Sequence, residues 1–305
     1  MGGVGAICAV IDLKHMGKPQ SVAAYLLETR NGPVIVDPGP ASTISTLRAG
    51  LAEHGYVVAE LAALLLTHIH LDHAGGSGTL ARENPGLLVY VHQAGAPHVA
   101  DPSKLLRSAT QLYGDRMELL WGEVAPVPPD RIQALSGGEV LALGGREFEV
   151  AYTPGHAAHH VSYFERGTGI AFVGDTAGLR SPPHFSVLPV TPPPDFNLEV
   201  WLDSLRTIAG WRPGQLALTH FGVSPDPERH LEDLRAGLQA WTEHARHSLA
   251  IPGTDADRMK WFGERLERWL DGRVPADQAR KFLGGAGVEA CWQGLARYWR
   301  KMGAP

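Results

Sequence analysis

Short apolar runs, broken by glycine, proline and polar residues, mark the first two thirds of the chain, and helical periodicity replaces them in the last third. Runs near residues 5–12, 21–29 and 33–36 predict the opening strands. The run Leu61-Ala62-Ala63-Leu64-Leu65-Leu66 predicts a buried one, and further strands are expected at 89–92, 148–151, 170–173 and 216–218. Helices are expected over 41–54 and 76–84. Another opens at Asp101-Pro102, with Asp101 as its cap and Pro102 in its first position. Residues 197–210 read as an amphipathic helix with Leu198, Trp201, Leu202, Leu205 and Ile208 inward. The pattern divides the chain into a mixed unit, 1–223, and a helical region, 224–305. In the second, Ser224 or Asp226 caps a helix over 227–248, and Thr254 starts one near 256–271. Others begin at Pro275 and span 287–301.

Several of these apolar runs lead into side chains that can ligate a metal. Leu66 precedes Thr67-His68-Ile69-His70-Leu71-Asp72-His73, four metal-capable side chains within six residues. Imidazoles packed this densely repel one another once protonated, whereas a bound cation stabilises neutral imidazole and ionised carboxylate together. Three later residues repeat the arrangement. His156 comes soon after the run at 148–151, Asp175 follows residues 170–173 and His220 follows 216–218. Strands that end on one edge and each deliver one ligand build a site from distant parts of a chain.

The series His68-x-His70-x-Asp72-His73, then His156, Asp175 and His220 in that order, resembles the metallo-β-lactamase superfamily over roughly residues 5–222. The resemblance implies an α/β (α+β) fold, a four-layer αβ/βα sandwich carrying the C-terminal helical region as an addition. It also implies that His68, His70 and His156 hold one metal, that Asp72, His73 and His220 hold a second, and that Asp175 bridges them. His160 is expected to brace the loop by hydrogen bonding and not to ligate.

Imidazole and carboxylate without thiolate suit zinc, and also iron or manganese, so two divalent ions are the expected cofactors. Two metals roughly 3.5–4 Å apart generate a hydroxide nucleophile near neutral pH. The expected activity is hydrolysis of a small-molecule ester, thioester or lactone by metal-bound hydroxide, with Asp72 orienting it or passing a proton. No Gly-x-Ser-x-Gly elbow offers a serine nucleophile. The alternative is a mononuclear iron persulfide dioxygenase on the same scaffold; a weaker one is a phosphodiesterase, nuclease or non-catalytic binding protein. Residues 101–130 interrupt the strand pattern as a helical insertion near the pocket. Tyr113, Met117 and Trp121 recur there at helical spacing, either as a pocket wall or as plain packing, and Phe185 lies on a proline-rich loop after Asp175.

Composition narrows the partners. A formal net charge of -5, with 27 basic against 32 acidic residues, gives no basic footprint for nucleic acid. No apolar stretch is long enough for a membrane helix, and the N-terminal residues lack a basic leader, so a cytoplasmic protein is expected. Cys8 and Cys291 imply no disulfide framework. Trp241, Trp261, Trp269, Trp292 and Trp299 load the C-terminal helices with large apolar side chains. The expected role is a stabilising appendage, with a homodimer contact or a lid as alternatives.

Overall fold

The computed structural model describes residues 9–181, 186–283 and 287–303. Six strands form the first sheet in chain order: β1 (Ala9–Asp12), β2 (Ala23–Leu27), β3 (Val34–Val36), β4 (Ala63–Leu65), β5 (Leu88–His92) and β6 (Ile132–Leu135). β1, β2 and β3 are antiparallel neighbours, and β3 to β6 run parallel. The chain continues through β7 (Val140–Leu143), β8 (Arg146–Tyr152), β9 (Val161–Glu165) and β10 (Ile170–Phe172). A separate hairpin comes next, β11 (Leu179–Ser181) and β12 (Ser186–Leu188), then β13 (Gln215–Leu218) and β14 (Gly222–Ser224). The second sheet has the order β14-β13-β10-β9-β8-β7, with β10 and β13 parallel and its other neighbours antiparallel.

β2, β3 and β4 are buried at every position, because both faces of the first sheet are covered. Alternate side chains go to opposite faces. Tyr25, Leu27, Val36 and Leu65 meet Phe148, Val150, Tyr163 and Phe172 of the second sheet. Leu26, Ile35 and Leu64 instead pack under the helix Ile44–Glu53. On the far side, Ala171, Leu216 and Leu218 pack against Trp201, Leu205 and Ile208 of the helix Leu198–Gly210. The layers run helix, sheet, sheet, helix, as the sequence led one to expect. At about 1.5–3 kcal/mol per fully buried large apolar side chain, these seams stabilise strands of three to seven residues that would not persist alone.

The C-terminal helices are Pro227–Leu249, Asp255–Leu270, Ala276–Leu283 and Gly287–Lys301. The Asp226 carboxylate accepts the Arg229 N–H at 3.2 Å, and Thr254 and Asp257 form a reciprocal cap. Leu234, Leu238, Trp241, Phe262 and Leu295 join the same core as Trp201 and Leu205, so these helices extend the outer layer of the second sheet. No described helix is long and apolar enough to cross a membrane.

Two expectations need correction. The helix expected to open at Asp101 starts at Ser103; Pro102 occupies the cap position, and the Asp101 carboxylate accepts the Ser103 N–H at 3.0 Å. The helical stripe through Tyr113, Met117 and Trp121 is also broken. The first helix stops at Tyr113, a short turn spans Gly114–Arg116, and a second helix covers Met117–Trp121. Gly114 has φ +52°, a conformation that interrupts helical phase.

Candidate metal centre

β8, β10 and β13 point the same way, because β10 is parallel to β13 and two antiparallel steps separate β8 from β10. Their carboxyl ends lead to His156, to the turn Gly174–Ala177 that carries Asp175, and to His220. The end of β4 in the facing sheet leads to His68 and the short helix Leu71–Ala74. Gly174, at φ +44°, permits this closeness: a β-carbon there would lie 2.5 Å from Thr67 Oγ1 and 2.7 Å from His160 Nε2.

The seven candidate residues converge. His70 Nδ1 lies 2.9 Å from His68 Nε2 and 3.1 Å from His156 Nε2. His220 Nε2 lies 3.2 Å from Asp72 Oδ2. Asp175 sits between the two groups: Oδ2 is 3.4 Å from His156 Nε2, while Oδ1 is 3.3 Å from His73 Nε2 and 3.7 Å from His220 Nε2. Three sets have ligand atoms close enough for one cation: His68, His70 and His156; His68, His73 and Asp175; and Asp72, His73 and His220.

Outer contacts fix which ring nitrogen faces inward. His156 Nδ1 donates to the Val190 carbonyl at 2.8 Å, and His220 Nδ1 to the Ser21 carbonyl at 2.8 Å. Both leave Nε2 as the inward lone pair. His73 Nδ1 is 2.7 Å from Asp37 Oδ2. Asp37 also accepts from the Thr67 N–H at 2.8 Å and from the Thr67 and Thr219 hydroxyls, each at 2.7 Å. One fully buried carboxylate therefore ties β3, the His68 loop and the His220 loop together. In the sequence, Asp37 reads only as part of an Asp-Pro-Gly turn. Its partner Thr219 is distant along the chain, and no local pattern signals it.

His160 is fully buried, its ring 4.9 Å from that of His68. Its Nε2 accepts the Asp175 N–H at 3.2 Å, which puts its proton on Nδ1, 3.1 Å from Thr153 Oγ1 and 3.0 Å from Thr176 Oγ1. A ring so occupied can brace but has no free nitrogen for a cation.

The insertion touches the site from one side. Leu71 packs with Ala109, Leu120 and Trp121. Burial and, after it, the negative charge of Asp72 raise the pKa of the Tyr113 hydroxyl. Trp121 is buried, stacked on His15 at 5.3 Å and edge-on to Tyr113, while Met117 is half-buried in the same cluster. Phe185 lies outside the described residues.

The donor set fits cations. Among the described residues, buried His73 Nε2 and Asp175 Oδ1 have no hydrogen-bond partner, and they face each other across the gap between the groups. Burial holds His68, His70 and His156 below the usual imidazole range, so they stay neutral and can ligate. Burial opposes protonation of His220 too, yet Asp175 and Asp72 push it up to about 9. The carboxylates Asp175, Asp37 and Asp72 likewise raise His73 against its burial.

A pH dependence is expected for the metal-free protein. His68, His70, His156 and His160 are held below the unfolded value of about 6.5, so their contribution is present above that pH and lost as pH falls below it. The contribution of His220 has the opposite sign. It is complete below pH ~6.5 and lost as pH rises through about 9. The thermal midpoint of chelator-treated protein is expected to fall on both sides of this window. A midpoint that stays flat on acidification below pH ~6.5 would contradict the assignment.

Comparison with known proteins agrees with the geometry. A model of the metallo-β-lactamase superfamily matches residues 17–220. The metallo-β-lactamase fold-containing protein ST1585 of Sulfurisphaera tokodaii is 28% identical over 223 residues, 71% of this chain and 79% of its own. A hydroxyacylglutathione hydrolase of Aeromonas hydrophila is 26% identical over 224 residues, 70% of each chain. The crystal structure of the metallo-β-lactamase family protein TTHA1429 from Thermus thermophilus superposes with a TM-score of 0.67 at 24% identity, covering 93% of this chain and 89% of that one.

Proposed function

Because this chain belongs to the metallo-β-lactamase superfamily and is a metallo-hydrolase, we propose that it uses two divalent cations to hydrolyse a small-molecule ester, thioester or lactone. The observation that carries this reading is the placement of Asp175, with one oxygen towards each group of ligands. His68, His70 and His156 would hold one cation; Asp72, His73 and His220 would hold the other. Zinc suits these donors best, with iron and manganese as alternatives. Cations bound there would acidify a water towards a pKa of about 7 and polarise the oxygen under attack.

The protein's own groups do the rest. Asp37, Val190 and Ser21 keep the ring protons of His73, His156 and His220 on the outward nitrogens, and His160 braces the Asp175 backbone. Burial pushes the Asp72 carboxyl up, but His73 and His220 hold it well below the usual carboxylate range. Asp72 therefore stays ionised, and its carboxylate would accept a hydrogen bond from the attacking water and orient it; a carboxylate held this low is too weak a base to carry the proton itself. Tyr113, partly exposed and edge-on to Trp121, would border the space where a substrate lies. The hydroxyacylglutathione hydrolase among the relatives supports an acyl substrate. The convergence of Asp72, His73 and His220 favours this reading over a one-metal dioxygenase, which needs no second group of ligands.

The test is a panel of lactones, thioesters, aryl esters, phosphodiesters and a persulfide. It is run on native protein, on chelated protein, and after return of zinc, manganese or iron. Hydrolysis of an acyl substrate that vanishes on chelation and returns with a divalent ion is expected. Full turnover in the chelated protein, or oxygen uptake with the persulfide alone, would sink the proposal.

A further inference from the structure

The C-terminal helix Gly287–Lys301 lies against the backbone that orients His156. Between β12 and the helix Leu198–Gly210 the chain crosses as a strap, residues 189–197, outside any sheet. The Val190 carbonyl in this strap is the acceptor for His156 Nδ1, at 2.8 Å. The next residue, Thr191, is fully buried, and its hydroxyl donates to the Cys291 carbonyl of the C-terminal helix at 3.4 Å. One turn further along, Gly294 leaves no gap: a β-carbon there would overlap the Thr191 carbonyl oxygen and lie 2.8 Å from the Pro192 carbonyl carbon and 3.0 Å from the Pro193 nitrogen. Beyond the strap, the Tyr298 hydroxyl donates to the Glu199 carboxylate at 2.7 Å, and the Tyr298 ring meets Phe196 edge-on at 5.3 Å. The helix thus grips the strap at its middle and its far end.

We propose that the C-terminal helix is a positioning element of the metal centre, acting through Gly294 on the strap and through the Val190 carbonyl on His156. This rests on His156 being a cation ligand, as proposed above. The physical argument is short. A ligating imidazole depends on the acceptor behind it for both tautomer and orientation. That acceptor is a backbone carbonyl, which moves only when its peptide moves. Thr191, adjacent to it, is in van der Waals contact with a helix that glycine alone allows so close. Bulk at position 294 displaces the Thr191 peptide, and with it the carbonyl that holds the His156 ring. A helix that merely filled the core would respond to such a change with lower stability and no preference between the two cation positions.

The experiment titrates full-length, metal-free protein with cobalt(II), following the visible absorption of each bound ion. The wild type is compared with Gly294→Val, Gly294→Ala and, to identify the ion held by His156, His156→Ala. Gly294→Val is expected to weaken the His156-dependent ion by about tenfold or more, the range typical of residues behind a metal ligand, and to leave the other ion's affinity unchanged. Gly294→Ala is expected to fall between it and the wild type, and carries the test if the valine variant does not fold. Wild-type affinity for both ions in the Gly294 variants, or parallel loss of both ions along with the thermal midpoint, would overturn the proposal. Failure of the wild type to bind any ion would overturn the metallo-hydrolase reading itself.

Discussion

Asp175→Ala is expected to lower turnover by about a thousandfold or more, beyond the 10–100-fold typical of residues that only contact a ligand. The reason is its position. One Asp175 oxygen lies 3.4 Å from His156 Nε2 and the other 3.3 Å from His73 Nε2, so one deletion would strip both proposed cation positions. The fold should survive. Once Asp175 is gone, the raised protonation of His73 and His220 loses its leading support, and both rings can become neutral. The His160 contact to the backbone at position 175 does not need the carboxylate. Metal content is expected to fall while the circular dichroism stays native. Turnover within tenfold of wild type, on protein shown to lack the bridging group, would remove the basis for a shared site.

Asp37→Ala is expected to damage stability and metal binding together. The carboxylate is fully buried and accepts four hydrogen bonds, from the Thr67 N–H, the Thr67 and Thr219 hydroxyls and His73 Nδ1. Removing it leaves these donors without an acceptor, at about 1–3 kcal/mol for each buried group that finds no substitute. Partial relaxation and water entry reduce the sum, so a loss of about 3–5 kcal/mol is expected, comparable to breaking a buried pair. His73 also loses the contact that turns Nε2 inward, and cation affinity should drop about 10–100-fold. Denaturant unfolding and metal titration read the two effects separately. A variant with wild-type stability and affinity would show that Asp37 is only a turn residue.

The contrast between these two aspartates shows what a sequence can carry. Asp175 is legible because it directly follows the apolar run of β10, in the same way that His156 and His220 follow β8 and β13. The His68–His73 stretch is legible from density alone. The helix starts at Asp226 and Thr254 are legible because capping is local chemistry, set within three residues. Asp37 is different: its hydrogen-bond partners lie on two other segments, up to 182 residues away, and a turn explains its neighbours equally well. Tyr113, Met117 and Trp121 show the opposite failure. Their spacing suits one helix, but Gly114 breaks it, so Tyr113 stays at the surface while Trp121 turns inward onto His15. The grip of Gly294 on the strap is equally silent in sequence, because close approach of two backbones leaves no trace beyond a glycine inside a helix.

Anomalous diffraction at the zinc edge, from crystals of this protein grown with zinc, bears on the paired site without intermediate steps. Two peaks are expected, roughly 3.5–4 Å apart. One lies among His68 Nε2, His70 Nδ1 and His156 Nε2, the other among the ligand atoms of Asp72, His73 and His220, with an Asp175 oxygen facing each. A single fully occupied peak, or none within reach of these side chains, would contradict it.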